Sequence, residues 1–325
     1  MKCYKTEDLL TDKNISNKLK KIFMFAYQVK DMEISANGTP FIENYKNKQN
    51  QMETKYSNAI ENINEYKYSD DEWIGLNEAN QYITRNYNDP LDIDELQDIH
   101  QRLMRSKKDS GELKRKDNTV AGYKTSSIKD VEKDLYQILS SYYSEEKDTL
   151  EKGVISSIIF TLNFLMCHLF QDGNGRMSRM LLHKLLIKSG LSFVKYQMLS
   201  QYIHDEKQEY YNSLEHVRKG ILDNPGAFDN DNAKPYIIYI LDTLIQAILD
   251  FGKQLQLFNQ IGKNNTELKR WIIKEISMNK NTTRKLLNSK INLIISEDKL
   301  KRIVREMISD KEISTNGHGR VANFV

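Results

Sequence analysis

The chain has 325 residues, with 48 Lys and Arg against 45 Asp and Glu, a net charge of +3, and two cysteines. That length exceeds a typical single domain and can bury a sizeable core. The near-balance of charge does not advertise a nucleic-acid or membrane surface, and Cys3 and Cys167 suggest neither a disulfide framework nor a zinc pattern. The N-terminus lacks a signal peptide's apolar core and no uninterrupted apolar run reaches about 18 residues, so the expected location is cytoplasmic, with no membrane partner.

Four prolines leave long stretches open to helix. The periodicity predicts helices over 15–29, 42–64, 73–86, 92–105 and 129–142. Residues 153–170 then form a strongly apolar run, long enough for a buried helix. Gly, Asn and Gly interrupt it, and a second helix runs from Arg176 to a glycine stop at Gly190. Helices follow over 205–219 and 235–258. A polar, Gly-containing break at 261–265 sets off a tail with helices near 267–277, 283–287 and 298–309, and a hairpin around Asn316 and Gly317. The fold class is mainly α.

The junction of the two central helices carries the chemistry. Residues 168–179 read His-Leu-Phe-Gln-Asp-Gly-Asn-Gly-Arg-Met-Ser-Arg. Backbone N–H groups at a helix start are unpaired and sit at the positive end of the dipole, so the turn from Asp172 to Gly175 suits phosphate. Its glycines let backbone approach an anion without a Cβ between them. Arg176 and Arg179, three apart, can share a phosphate chain. Asp172 can hold a magnesium ion against those phosphates. His168 titrates near neutrality and suits taking a proton from an attacking hydroxyl. Position five of an EF-hand would fall on Arg176, which excludes that loop, and no Walker or Rossmann glycine pattern occurs elsewhere.

The pattern H-x-F-x-D-G-N-G-R-x-x-R resembles the signature of the Fic (filamentation-induced-by-cAMP) family at every fixed position. The resemblance extends over roughly residues 70–225. Residues 111–123 are similar to the family's flap, a short hairpin that holds a target segment by strand addition, with Val120, Ala121, Gly122 and Tyr123 as the contacting residues. Residues 96–103 resemble the helix before it. Tyr210 and Tyr211 fall where relatives carry a tyrosine pair near the nucleotide. Arg218 departs from the Asn that some relatives place near adenine, and the flap lacks their prolines and histidine, so base contacts and target preference are open.

What the resemblance implies is a protein adenylyltransferase. His168 would deprotonate a Ser, Thr or Tyr hydroxyl of a target protein, or of the chain itself, for attack on the α-phosphate of ATP. Asp172 would bind Mg2+; the backbone of Gly173, Asn174 and Gly175 would form the anion hole; Arg176 and Arg179 would hold the outer phosphates. Relatives with Lys at the position of Gly175 can phosphorylate instead, so Gly supports AMP transfer. Many relatives carry an inhibitory [S/T]-x-x-x-E-[G/N] helix, which matches here at Thr39…Glu43-Asn44 and at Ser57…Glu61-Asn62. Thr39 and Pro40 read as a helix start. Ser57 and Glu61 lie on one face near a helix end that Asn62 can cap in the left-handed conformation, which favours Glu61 as the residue facing Arg179.

The expected organisation is an N-terminal helical region with the inhibitory helix (1–66), a Fic catalytic core with its hairpin flap (67–225), a connecting helix (226–265) and a winged-helix-like domain (266–325). Lys299, Lys301, Arg302 and Arg305 on the last domain could meet a nucleic-acid backbone, though a solvated helix face is the plainer reading. A homo-oligomer is left open. The alternative function is a DNA-binding or scaffolding regulator whose Fic core senses nucleotide.

Overall fold

The computed structural model describes residues 6, 9–63, 70–223, 230–262, 264–279, 281–316 and 323–324. In chain order their elements are α1 (Lys13–Ala36), α2 (Pro40–Ile60), α3 (Asp71–Arg85), α4 (Ile93–Met104), β1 (Thr119–Val120), β2 (Tyr123–Lys124), α5 (Val131–Ser144), α6 (Leu150–Cys167) and α7 (Asn174–Lys188). There follow α8 (Ser200–Asp205), α9 (Lys207–Asp223), α10 (Asn230–Leu257), α11 (Asn265–Met278), α12 (Arg284–Ile291), α13 (Glu297–Ser309), β3 (Thr315–Asn316) and β4 (Asn323–Phe324). The mainly helical class expected of the sequence is the class observed. The contacts divide the chain into two compact units, one of 1–26 with 48–249 and the other of 27–47 with 250–325.

The first unit is built around α6. This helix is apolar on all sides, and every residue from Gly153 to Cys167 is buried, as a helix without a polar face requires. Helices α5 and α7 pack on it, and Leu135, Ile138, Phe160, Phe164, Met180 and Leu181 share one core. By length and composition α6 could cross a membrane, as could residues 231–262, with mean hydropathies of 1.4 and 1.3. A search for an uninterrupted apolar run passes over α6 because Ser156, Ser157, Thr161 and Asn163 punctuate it; here it is a core helix, 83% buried. Side chains cap the helices that the sequence predicts well: Asp92 accepts from Glu95 N–H at 2.8 Å, and Thr149 from Lys152 N–H at 3.3 Å.

Several boundaries differ from expectation. The apolar run to residue 170 is helical only to Cys167, because the flap segment captures the rest: Ser126 N–H donates to Cys167 O, Lys114 N–H to Leu169 O, and Leu113 bridges Phe170 as antiparallel strand. The helix expected over 205–219 is α9, running on to Asp223, and a short helix not anticipated, α8, precedes it from Ser200, whose N–H and hydroxyl both donate to the buried Glu53 carboxylate. Helix α2 stops at Ile60, and Asn62 takes φ 61, the left-handed cap anticipated for it.

In the second unit Leu268, Ile272, Leu287, Ile291, Leu300 and Met307 bury the inner faces of α11–α13. Phe41 stacks on Phe258 at 4.5 Å. β3 pairs β4 with Asn316 opposite Asn323. The expected hairpin around Asn316 and Gly317 is present as this strand pair, with Asn316 in a strand; residues 317–322 lie outside the described ones. Residues 224–229, at the expected boundary between the catalytic core and the connecting helix, lie outside them too. Three helices followed by a strand pair keep the order expected of the tail, and its winged-helix character stands as a proposal.

Candidate active site

The site forms where α6 ends. His168 is the C-cap, held at φ 52, with its N–H donating to Phe164 O at 3.2 Å. Its ring Nδ1 lies 3.4 Å from Leu165 O. A carbonyl oxygen only accepts, so this contact puts the ring proton on Nδ1 and leaves Nε2 with a free lone pair. Burial lowers the His168 pKa below the ordinary imidazole value, and the Lys114 ammonium adds to the effect against the opposing Leu165 carbonyl. The ring is therefore neutral at pH 7, the state a base needs.

The following loop is clamped by Asn174, whose side chain accepts from Phe170 N–H at 3.0 Å and donates to Phe170 O at 2.8 Å. Its amide is thus committed to the loop, and only its backbone is available to an anion. Gly173 supplies φ 79 as the N-cap of α7, and its N–H donates to the Asp172 carboxylate at 2.6 Å. The first hydrogen bond of α7 runs from Met177 N–H to Gly173 O. The N–H groups of Asn174, Gly175 and Arg176 consequently have no partner within the helix, the arrangement that attracts anions. Asp172 is exposed; burial raises its pKa, but the Gly173 N–H, Arg176 and Lys107 outweigh this and hold it below the carboxylate range. Lys107 Nζ lies 3.2 Å from Asp172 Oδ2, so the carboxylate already faces a cation. Behind the loop, His100 stacks on Phe170 at 3.9 Å. It accepts from Gly111 N–H at Nδ1 (3.0 Å), and its Nε2 donates to Asp172 O (3.1 Å). Burial pushes its pKa down to about 4.

The two arginines are placed differently. Arg176 is buried, with Nη2 3.7 Å from Met104 Sδ and 3.8 Å from Asp172 Oδ2, and its Nε has no hydrogen-bond partner. Arg179 is turned toward α2. Its Nε donates to Ser57 Oγ at 3.0 Å, its Nη2 to Ser57 O at 2.8 Å, and its Nη1 lies 2.9 Å from Glu61 Oε1. The last contact is an ion pair by distance without an aligned hydrogen bond. Burial acts against the Arg179 charge, yet Glu61 more than offsets it and leaves the pKa raised. The same carboxylate presses on Gly175: a Cβ there would stand 2.1 Å from Glu61 Oε1. Glu61 thus places its oxygens at the open N-terminus of α7 and beside Arg179, where a phosphate oxygen would go. Glu43, the other candidate, is exposed and pairs with Lys46.

A cavity of about 90 Å³ opens beside this pair. Glu61, His168 and Gly175 meet Tyr210, Tyr211 and Arg218 of α9 in its lining, and Val120, Tyr123 and Thr125 of the flap close it. Ala121 and Gly122, at φ 49 and 79, make the two-residue turn of the flap and do not line the cavity. Neither do Asp172, Arg176 or Arg179. Tyr211 hydroxyl donates to Ile60 O at 3.0 Å, and Lys207 Nζ donates to Asn62 Oδ1 at 2.8 Å, fastening the end of α2. The sequence reading missed Gln49 and Glu53, which with Ser57 and Glu61 form a row at intervals of four. Gln49 accepts from Met198 N–H, Glu53 from Ser200. That i, i+4 row of polar residues was visible, but it reads as a solvated face until the partners are known. It also missed His100, Lys107 and Lys114, whose roles depend on distant backbone groups.

The fold and the site together define a helical protein with a neutral histidine, a helix-N-terminal anion site and a hairpin around one cavity. Residues 90–186 match the model of the Fic/DOC family. A curated relative, Protein adenylyltransferase Fic of Culex quinquefasciatus, is 26% identical over 196 residues, covering 59% of this chain. The chain matches only 35% of that relative's length. A Fic family protein from Desulfovibrio desulfuricans G20 aligns over 100% of this chain and 97% of its own (TM-score 0.60, 17% identity). A Fic domain-containing signaling protein from Bacteroides thetaiotaomicron VPI-5482 covers 71% of this chain and 98% of its own (TM-score 0.56, 18% identity). Fic-1 from C. elegans covers 74% and 73% (TM-score 0.54, 18% identity). At these identities the solved structures speak to the fold.

Proposed function

We propose that the chain is a protein adenylyltransferase that moves AMP from ATP to a Ser, Thr or Tyr hydroxyl and is held off by Glu61. The observation that carries the reading is the position of the Glu61 carboxylate, against Gly175 and 2.9 Å from Arg179. It is an anion sitting on an anion site. When it leaves, Arg179, the unpaired Arg176 Nε and the first amides of α7 all become available to a triphosphate chain. His168 Nε2 then accepts the proton of a target hydroxyl lodged between it and the flap, as that oxygen attacks the α-phosphate and pyrophosphate departs.

One carboxylate and the phosphates of a nucleotide are a sufficient ligand set for Mg2+, which retains several waters. Asp172 is exposed and ionised, and Lys107 stands in for a cation beside it. Bound there, Mg2+ would neutralise phosphate charge during transfer. Asp172→Asn, or chelation of the metal, is expected to abolish transfer.

The test is incubation with ATP labelled at the α- or the γ-phosphate, using the chain with Glu61→Gly and the same chain carrying His168→Ala. Protein-bound label from the α position, lost in His168→Ala, supports the reading. Label from the γ position means phosphorylation. Absence of label from both positions, in a folded Glu61→Gly chain that binds ATP, favours a nucleotide sensor.

A further inference from the structure

The chain's positive charge is concentrated around the flap. Between α4 and α5, residues 105–130 carry eight Lys and Arg against four Asp and Glu, a net +4, while the whole chain has +3. Of the four acids, Glu112 pairs with Arg115, Asp117 accepts from Ile128 N–H and Asp130 from Ser127 Oγ. Lys108, Lys116, Lys124 and Lys129 are exposed, and among the described residues they make no ion pair. Beneath them Lys114 is buried, 3% exposed, and its ammonium donates only to the neutral oxygens of Asn118 (3.0 Å) and Thr125 (2.7 Å). Asp117 and Asp134 act on this ammonium from nearby, but the lysines above it have no ion-pair partner among the described residues, and they bias the potential outside the cavity positive.

The register fixes which way Lys124 faces. Val120 pairs with Tyr123, and both line the cavity; Thr119 pairs with Lys124 on the opposite side of the pleat, and Lys124 is exposed. A segment added to the hairpin edge would thus lay alternate side chains into the cavity and toward Lys124. We propose that the flap selects an acidic target: an extended protein segment whose hydroxyl residue is flanked by Asp or Glu. This deepens the adenylyltransferase reading and rests on it. A single-stranded nucleic acid would find phosphate contacts here but no stacking ring, because Tyr123, the one aromatic residue in 105–130, is buried.

The test uses the Glu61→Gly chain, α-labelled ATP and three peptides of one length sharing a central Val-Thr-Val, flanked by Asp and Glu, by Gly and Ser, or by Lys. The acidic peptide is expected to be labelled with kcat/KM at least about tenfold above the neutral one, the difference shrinking as salt rises from about 0.05 to about 0.3 M. Lys116→Glu with Lys124→Glu and Lys129→Glu should reverse the order while leaving KM for ATP in place. Equal use of the three peptides, a preference retained in the triple variant, or a thymidine oligonucleotide that binds more tightly than the acidic peptide and displaces it overturns the proposal. If the chain labels itself but no peptide, the acidic target is wrong and AMP transfer stands. If no label is transferred at all, the adenylyltransferase reading fails and takes this inference with it.

Discussion

At the residue scale, the state of His168 follows from its surroundings. Burial and Lys114 lower its pKa, so protonation of the base requires a more acidic solution than a free imidazole would. On the proposed reading, kcat/KM of the Glu61→Gly chain therefore holds as pH falls through 6.5 and declines only below it. An acid limb centred at or above 6.5 would contradict the assignment of His168. His100 is a positioning residue by contrast. His100→Leu leaves Gly111 N–H and Asp172 O without their partner, and is expected to cost about 2 kcal/mol or more of stability by denaturant titration. It should also raise the Mg2+ concentration needed for half-maximal transfer, because the Asp172 backbone loses its anchor. An unchanged Mg2+ requirement would reduce His100 to a packing role.

At the scale of elements, the proposed reading makes α2 the switch, with Gln49, Glu53 and Ser57 on it and Glu61 just past its end as the latch. Ser57→Ala removes the aligned acceptor of Arg179 Nε but keeps the Ser57 carbonyl and Glu61. Basal AMP transfer should rise in Ser57→Ala, by less than in Glu61→Gly; equal or lower transfer than the unaltered chain would show that Ser57 does not help hold Arg179. Much of this was legible. The 168–179 pattern pointed to the loop, and capping chemistry, with the closer family likeness of the Ser-x-x-Ile-Glu-Asn wording, favoured Ser57, Glu61 and Asn62 over Thr39 and Glu43. What the sequence could not give are the long-range backbone captures. Nothing local says that Lys114 N–H will take Leu169 O and end α6 early, or that Glu53 will start α8 at Ser200. The aim of Arg176, under Met104 and away from Arg179's partners, likewise depends on packing between helices distant in sequence.

At the scale of the whole molecule, the buried histidines set the response to acid. His100 and His183 are both held near pKa 4, chiefly by burial. In the unfolded chain they would titrate near 6.5, so between about 6.5 and about 4 the unfolded state binds more protons and stability falls with falling pH. Each contributes up to about 3 kcal/mol over that window. Denaturant titrations at pH 7 and pH 5 should register the loss, and His183→Gln, which gives up the contact to Val194 O, should lessen the slope. A stability independent of pH across this window would mean that these rings are not neutral in the folded state. The account as a whole turns on Glu61 occupying the place of a nucleotide phosphate. Its most direct test is the initial rate of AMP incorporation from α-labelled ATP by the unaltered chain and by Glu61→Gly, compared at equal folded concentration. The prediction is a rise of at least about tenfold, corresponding to about 1.4 kcal/mol or more released at the phosphate site; equal rates in two folded, ATP-binding proteins would contradict it.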